Sequence, residues 1–345
     1  MPSAWREEEW VSRAVLRPPT GPDVPAALEL AAELAPLATS LGSRPWAYFS
    51  ALATVAAADL TSARAAEPHL DATAILEQAG HPDLSMVGVD AWSTFGVFAA
   101  NDPGGGLRVT ESPDGSCRLH GTKPWCSLAD TVTHALVTAG PPERPELHAV
   151  PLRHPGVVLD PAPWVSRGLA DIRTSAVHLT DVPSVRVAAD GWYLIRPGFA
   201  WGGIGVAAVW FGAAAALGAS LRHAADRREP DQLALAHLGL VDRVLHAALL
   251  SLRDAASAIR DGCAVGVEGA VLAARVRAVV ADAAEQVVIA VGHALGPAPL
   301  TQDEGHARRV ADLTVYLRQH HAERDLARLG ALTLPDPAPG PTSGR

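Results

Sequence analysis

The side chains best suited to moving a proton near neutral pH stand late in the chain, in Arg318-Gln319-His320-His321-Ala322-Glu323-Arg324-Asp325. An imidazole of ordinary pKa, about 6.5, serves as base or acid in that range, so the histidines of this run are candidates for proton chemistry. The same run is dense enough in charge to form a solvated helix laced with i,i+4 ion pairs, and both readings stand. The three cysteines, Cys117, Cys126 and Cys263, are odd in number and lack a CxxC spacing. They imply neither a disulfide framework nor a zinc site, no metal is expected, and a reducing, cytoplasmic compartment suits them.

The elements that must position such groups follow from composition and periodicity. With 345 residues, 48% hydrophobic and 19% charged, the chain is long enough for two or three domains around a large core. A net charge of -9 leaves no basic surface to neutralise a phosphate backbone, so nucleic acid is not an expected partner. The opening residues, Met1-Pro2-Ser3-Ala4-Trp5-Arg6-Glu7, are acidic where an export signal has a basic head and an apolar run, so none is expected. Residues 200–221 carry no charge and are long enough to cross a bilayer. They are mostly alanine and glycine, which gain little on transfer to lipid, so a buried helix is expected there and no membrane partner.

From Val24 to about Gly80, apolar residues recur at helical spacing, and Gly80-His81-Pro82 breaks the run, which predicts a helical domain over 1–82. Between 83 and 190 the texture becomes short apolar runs punctuated by Gly, Pro, Asn and Asp. Phe95 to Ala100, His134 to Ala139, Leu147 to Leu152 and Ala176 to Leu179 read as strands, Asp114-Gly115 as a hairpin turn, and the whole as an antiparallel β domain. The helical period returns over 191–334, with breaks at 227–231, 261–266 and 296–299, and predicts a bundle of four or five long helices. The tail, 335–345, is rich in Pro and Gly and is expected to be disordered.

This α+β order of helices, β domain and helical bundle resembles the acyl-CoA dehydrogenase family, and local motifs carry the resemblance further. Gly121-Thr122-Lys123-Pro124-Trp125-Cys126-Ser127 is similar to the family's Gly-x-Lys-x-Trp-Ile-Thr segment. The resemblance implies that Trp125 walls a flavin ring and that the Ser127 hydroxyl bonds its edge, types that exclude water and stabilise charge as hydride arrives. Phe98-Ala99-Ala100-Asn101-Asp102-Pro103 resembles a second flavin-contacting loop, which adds Phe98 and Asn101, although Leu107-Arg108 replaces the expected Ser-Asp. Asp226-Arg227-Arg228-Glu229-Pro230-Asp231-Gln232 resembles a shortened form of the segment that holds the adenosine diphosphate end of a neighbouring subunit's FAD. Arg227 and Gln232 would act there. Gly292-His293-Ala294-Leu295-Gly296 resembles the glycine turn that approaches the same cofactor, implicating Gly292.

Family members remove an α-proton with a glutamate, which in many of them follows an Arg-Asp pair by about two helical turns. Counting from Asp312 reaches His320 instead, and the alternative position, within 200–216, contains no carboxylate. The chain thus resembles a divergent member, with His320 the candidate catalytic residue. The resemblance implies an FAD-dependent oxidoreductase acting on an acyl-CoA or related small molecule, assembled as a homodimer or homotetramer. The missing glutamate leaves two alternatives: a flavin-dependent monooxygenase or hydroxylase of the same fold, and a catalytically inactive binding protein.

Overall fold

A computed structural model describes residues 23–100, 106–189, 191–227 and 229–334. Three helices open it: α1 (Val24–Thr39), α2 (Pro45–Ala58) and α3 (Leu60–Gln78). Asp59 ends α2 and begins α3, its carboxylate accepting from Ser62 N at 2.7 Å, so one residue turns the chain and satisfies a free helix donor. Pro68 lies inside α3 and cannot donate to the carbonyl of Arg64, so the helix lacks one rung at the turn that carries Arg64 and Glu67.

Seven strands follow: β1 (Phe95–Phe98), β2 (Leu107–Glu111), β3 (Cys117–Ser127), β4 (His134–Ala139), β5 (Glu146–Pro151), β6 (Val157–Leu159) and β7 (Thr174–Ala188). Their order is β1-β4-β5-β7-β3-β2, with β6 also on β7. The β2–β3 hairpin turns at Asp114-Gly115, where Gly115 takes φ +82. The sheet is not wholly antiparallel, as the alternation of short runs led one to expect: β1 pairs with β4 in parallel. Periodicity sets which side chains share a face and leaves the direction of a neighbour undetermined, and β1 is aligned by its link to α3, where His69 Nδ1 accepts from Phe95 N at 3.1 Å.

The remainder is helical: α4 (Trp192–Ile195), α5 (Pro197–Arg227), α6 (Gln232–Arg260), α7 (Gly266–Leu295), α8 (Ala298–Gln302), α9 (Glu304–Tyr316), a 3-10 turn (Leu317–Gln319) and α10 (Glu323–Leu332). By length and composition α5, α6 and α7 could each cross a membrane, and the most apolar window of α5 is 78% buried inside the fold, against 28% for α6 and 39% for α7. The small residues of α5 are what bring it into the core: a Cβ on Gly212 would meet the Ala53 carbonyl oxygen of α2 at 2.0 Å.

The end of α9 is fixed from three sides. Asp312 accepts from Leu169 N at 2.6 Å and from the Thr61 hydroxyl at 2.9 Å, tying the β domain and α3 to one buried carboxylate. Arg308 donates to Asp59 at 2.8 Å, and Arg309 donates to the carbonyl of Ala58 at the end of α2. These anchors set where Tyr316 and the turn beyond it must lie.

Candidate active site

Arg64, Glu67 and Asp71 stand three and four residues apart on α3, so they share one face. Glu67 and Asp71 line a cavity of about 610 Å³ between α3, the start of α5 and α7, together with Arg196, Val206, Arg277 and His320. Arg277, from α7, donates to the Gly203 carbonyl at 2.9 Å and to the Gln319 carbonyl at 3.1 Å, and its guanidinium lies 4.7 Å from the centre of the Trp210 ring. It thereby joins α5 to the turn that delivers His320. Trp210 meets Tyr316 and His320 edge to face, with ring centres 6.2 and 6.5 Å apart.

His320 is not on a helix. The predicted charged helix over 318–328 breaks into the 3-10 turn, an extended His320 and a left-handed Ala322 at φ +47, and α10 starts only at Glu323. The break turns His320 inward to the cavity, while Glu323 stays exposed. Burial lowers the imidazole's affinity for a proton, and Asp325 opposes that shift from 4.0 Å.

The group sequence reading missed is Glu67. Its side chain is 12% exposed, with Arg64 Nη1 at 3.8 Å. Burial pushes its carboxyl up to about 7, against the pull of Arg64 and Arg277 and with a further push from Asp71. Asp71 is likewise raised by burial, and Arg196, 3.6 Å away, draws it back. The signal that could have found the pair was the charged stripe itself, two carboxylates and an arginine on one face of an alanine-rich helix whose other faces are buried.

Five buried polar atoms in this cluster have no hydrogen-bond partner among the described residues: Arg64 Nη1, Arg196 Nε, Trp210 Nε1, Tyr316 Oη and His320 Nε2. Buried polar groups are ordinarily satisfied, so their concentration here marks a place built for polar company from outside the chain. No group of three His, Cys, Asp or Glu side chains among the described residues could hold a metal ion.

Arg64 also reaches the β domain. Its Nη2 donates to Ser127 Oγ at 3.1 Å, and Ser127 Oγ lies 2.9 Å from Thr174 Oγ1. Thr174 Oγ1 also lies 3.1 Å from the Ile172 carbonyl, and when its proton goes there Ser127 donates to Thr174 and presents only its oxygen to Arg64. Two residues earlier the register of β3 against β7 shifts between Lys123 and Cys126, and Trp125 takes φ +60. The bulge reverses the alternation: Lys123 and Cys126 are buried, and Trp125 is turned out, 67% exposed. Lys123 Nζ goes inward to the Thr138 carbonyl and hydroxyl at 2.8 and 2.7 Å.

The remaining predicted residues are placed elsewhere. Phe98 is 3% exposed and packs in the core, its ring close beneath Gly96. Asn101 lies outside the described residues. Arg227 ends α5 and Gln232 begins α6, both exposed, and His237 of α6 meets His293 of α7 at 6.1 Å, which brings Gly292 to the same end of the bundle. Arg227 is roughly 25 Å along α5 from Trp210. In one chain these three residues form a second group, apart from Trp125 and Ser127.

Compared with known proteins, the chain has the acyl-CoA dehydrogenase fold, although no family model and no curated protein matches its sequence. Butyryl-CoA dehydrogenase from Megasphaera elsdenii is 17% identical, with a TM-score of 0.74 over 95% of this chain and 94% of that one. Dibenzothiophene monooxygenase, TdsC, from Paenibacillus sp. A11-2 is 17% identical, with a TM-score of 0.73 over 94% of this chain and 95% of its own. KijD3, solved with FMN and dTDP-3-amino-2,3,6-trideoxy-4-keto-3-methyl-D-glucose, is 20% identical, with a TM-score of 0.71 over 92% and 95%.

Proposed function

We propose that this chain is a cytoplasmic flavin-dependent oxidoreductase, with FAD as cofactor and an acyl thioester or a related small molecule as substrate. The observation that carries the reading is Arg64, whose guanidinium joins Ser127, beside the exposed Trp125, to Glu67 in the cavity. A face suited to a planar ring and a chamber suited to a substrate therefore adjoin. Neighbours of the same fold include a butyryl-CoA dehydrogenase and proteins solved with FMN, which supports a flavin.

The residues present fit such a group. Trp125 offers a flat apolar wall, held outward by its bulge, and Arg64, bonded to Ser127 two residues on, keeps a buried Nη1 without a hydrogen-bond partner among the described residues. When bound, a flavin supplies two-electron redox chemistry. Trp125 then keeps water from one face of the ring, and Arg64 places fixed positive charge where negative charge develops. FAD is proposed over FMN because exposed Arg227 and Gln232, with half-buried Gly292 at the same end of the bundle, form a separate group that a second copy of the chain could offer to the diphosphate end. A homodimer or homotetramer follows from the same argument.

A flavin monooxygenase is the second reading, favoured by the lack of any carboxylate in 200–216 and by the histidine reached from Asp312. The visible absorption spectrum of the purified protein, with and without added FAD or FMN, tests the proposal. Bound-flavin bands are expected, and a colourless protein with no flavin affinity contradicts it. Consumption of reduced flavin and oxygen with hydroxylation of the substrate would favour the monooxygenase.

A further inference from the structure

We propose that Glu67 is the group that removes the substrate's proton, with Arg64 and Tyr316 positioning it. The inference rests on the flavin-oxidoreductase reading above and assigns a base where neither expected position holds a carboxylate. Of the two carboxylates on the cavity face of α3, Asp71 is engaged by Arg196 at 3.6 Å, and Arg196 is itself fixed by Gln78 at 2.9 Å. Among the described residues Glu67 is approached by Arg64 at 3.8 Å and by the Tyr316 hydroxyl, and no hydrogen bond of ordinary geometry fixes it. It is also the one that adjoins the Trp125–Ser127 segment, through the same guanidinium. Its neighbour from α9, Tyr316, brings a buried hydroxyl to the carboxyl and favours its charged form, although no hydrogen bond of ordinary geometry joins them among the described residues.

The chemistry balances as follows. The C–H bond α to the substrate carbonyl breaks, Glu67 takes the proton on a carboxylate oxygen, and the electron pair stays on carbon to form the new double bond. The hydrogen on the β-carbon leaves with its electron pair to the flavin oxidant. The substrate class is therefore a carbon acid activated by an adjacent carbonyl. A base works best when its pKa lies near the working pH, and burial has brought Glu67 there. The groups that set its titration are Arg64 and Asp71 on α3, Arg277 on α7 and Tyr316 on α9. Tyr48 on α2 and Tyr193 on α4 feel its charge in turn, and Arg196, His320 and Asp325 line the same cavity.

The test is exchange of the α-hydrogens of butyryl-CoA with solvent deuterium, followed by mass spectrometry on anaerobic flavin-loaded protein. Flavin binding, circular dichroism and the pH profile are measured alongside. Glu67→Gln is expected to slow exchange by about 100-fold or more while still binding flavin and keeping its helical content, since a positioned general base contributes on that scale. Glu67→Asp should recover part of the rate, and Tyr316→Phe should shift the pH profile. Exchange by Glu67→Gln at the wild-type rate overturns the assignment, as does no exchange in the flavin-loaded wild type. Failure of the wild type to bind flavin is a separate result and defeats the underlying reading.

Discussion

The molecule contains two buried polar clusters that differ in how completely they are satisfied. In the sheet, His148 is fully buried, yet both ring nitrogens are partnered, Nδ1 by Ser184 at 3.1 Å and Nε2 by Glu146 at 3.0 Å. Arg186 closes that network with bonds of 2.6 Å to Glu146 and to Glu111. Burial pushes Glu146 up, but the bonds from Arg186 and His148 outweigh it and hold the carboxyl below its ordinary value. The serine, histidine and glutamate are in the order of a hydrolase triad, but the set is enclosed between β5 and β7 with its hydrogen bonds complete. Around Glu67 the opposite holds: five polar atoms lack partners among the described residues, and the carboxyl is raised to about 7 beside a cavity. Saturation marks a cluster that holds a fold together, and unspent hydrogen-bonding capacity beside a chamber marks one available for chemistry.

Three substitutions sharpen this contrast. Glu146→Ala strips Arg186 of one carboxylate and buried His148 of its Nε2 partner, and should cost about 2 kcal/mol in urea unfolding without altering flavin binding. Glu67→Gln should instead gain stability at alkaline pH. A carboxyl raised in the folded state binds its proton more tightly there than in the unfolded chain. Its contribution is therefore complete below the unfolded value and lost as pH rises from about 4.5 through about 7. The Gln variant escapes that loss, so relative to wild type it should gain on the order of 2 kcal/mol at pH 8 and nothing at pH 4, read from unfolding midpoints. Trp125→Ala, on the exposed side of the bulge, should weaken flavin affinity by roughly 10-fold and leave helical content intact. Unchanged affinity would remove Trp125 from the cofactor face.

Much of the architecture was legible in the sequence because it rests on local periodicity. The three-part order, the strand at His134–Ala139, the turn at Asp114-Gly115 and the burial of the alanine- and glycine-rich α5 all follow from residue spacing and size. The parallel pairing of β1 with β4 did not, because strand direction is set by tertiary partners. At the site, Trp125 and Ser127 stood out by residue type, yet the bulge that reverses Trp125 and the hydrogen bonding that ties Ser127 to Thr174 need coordinates. His320 was found by counting, but on the assumption of a continuous helix that the 3-10 turn Leu317–Gln319 interrupts. Glu67 escaped because a Glu-Pro pair within a helix reads as a kink or a solvated face. Only the packing of α5, α7 and α9 around it makes that face an interior one.

The most direct test of the central claim is an infrared difference titration of the carboxyl bands between pH 5 and 9, comparing wild type with Glu67→Gln. The account predicts one carboxyl with a midpoint at about 7 that is present in wild type and absent from the variant. If every wild-type carboxyl has already ionised below pH 6, or if the near-neutral band survives in Glu67→Gln, then Glu67 is an ordinary ion-pair partner and the two clusters do not differ in the way described.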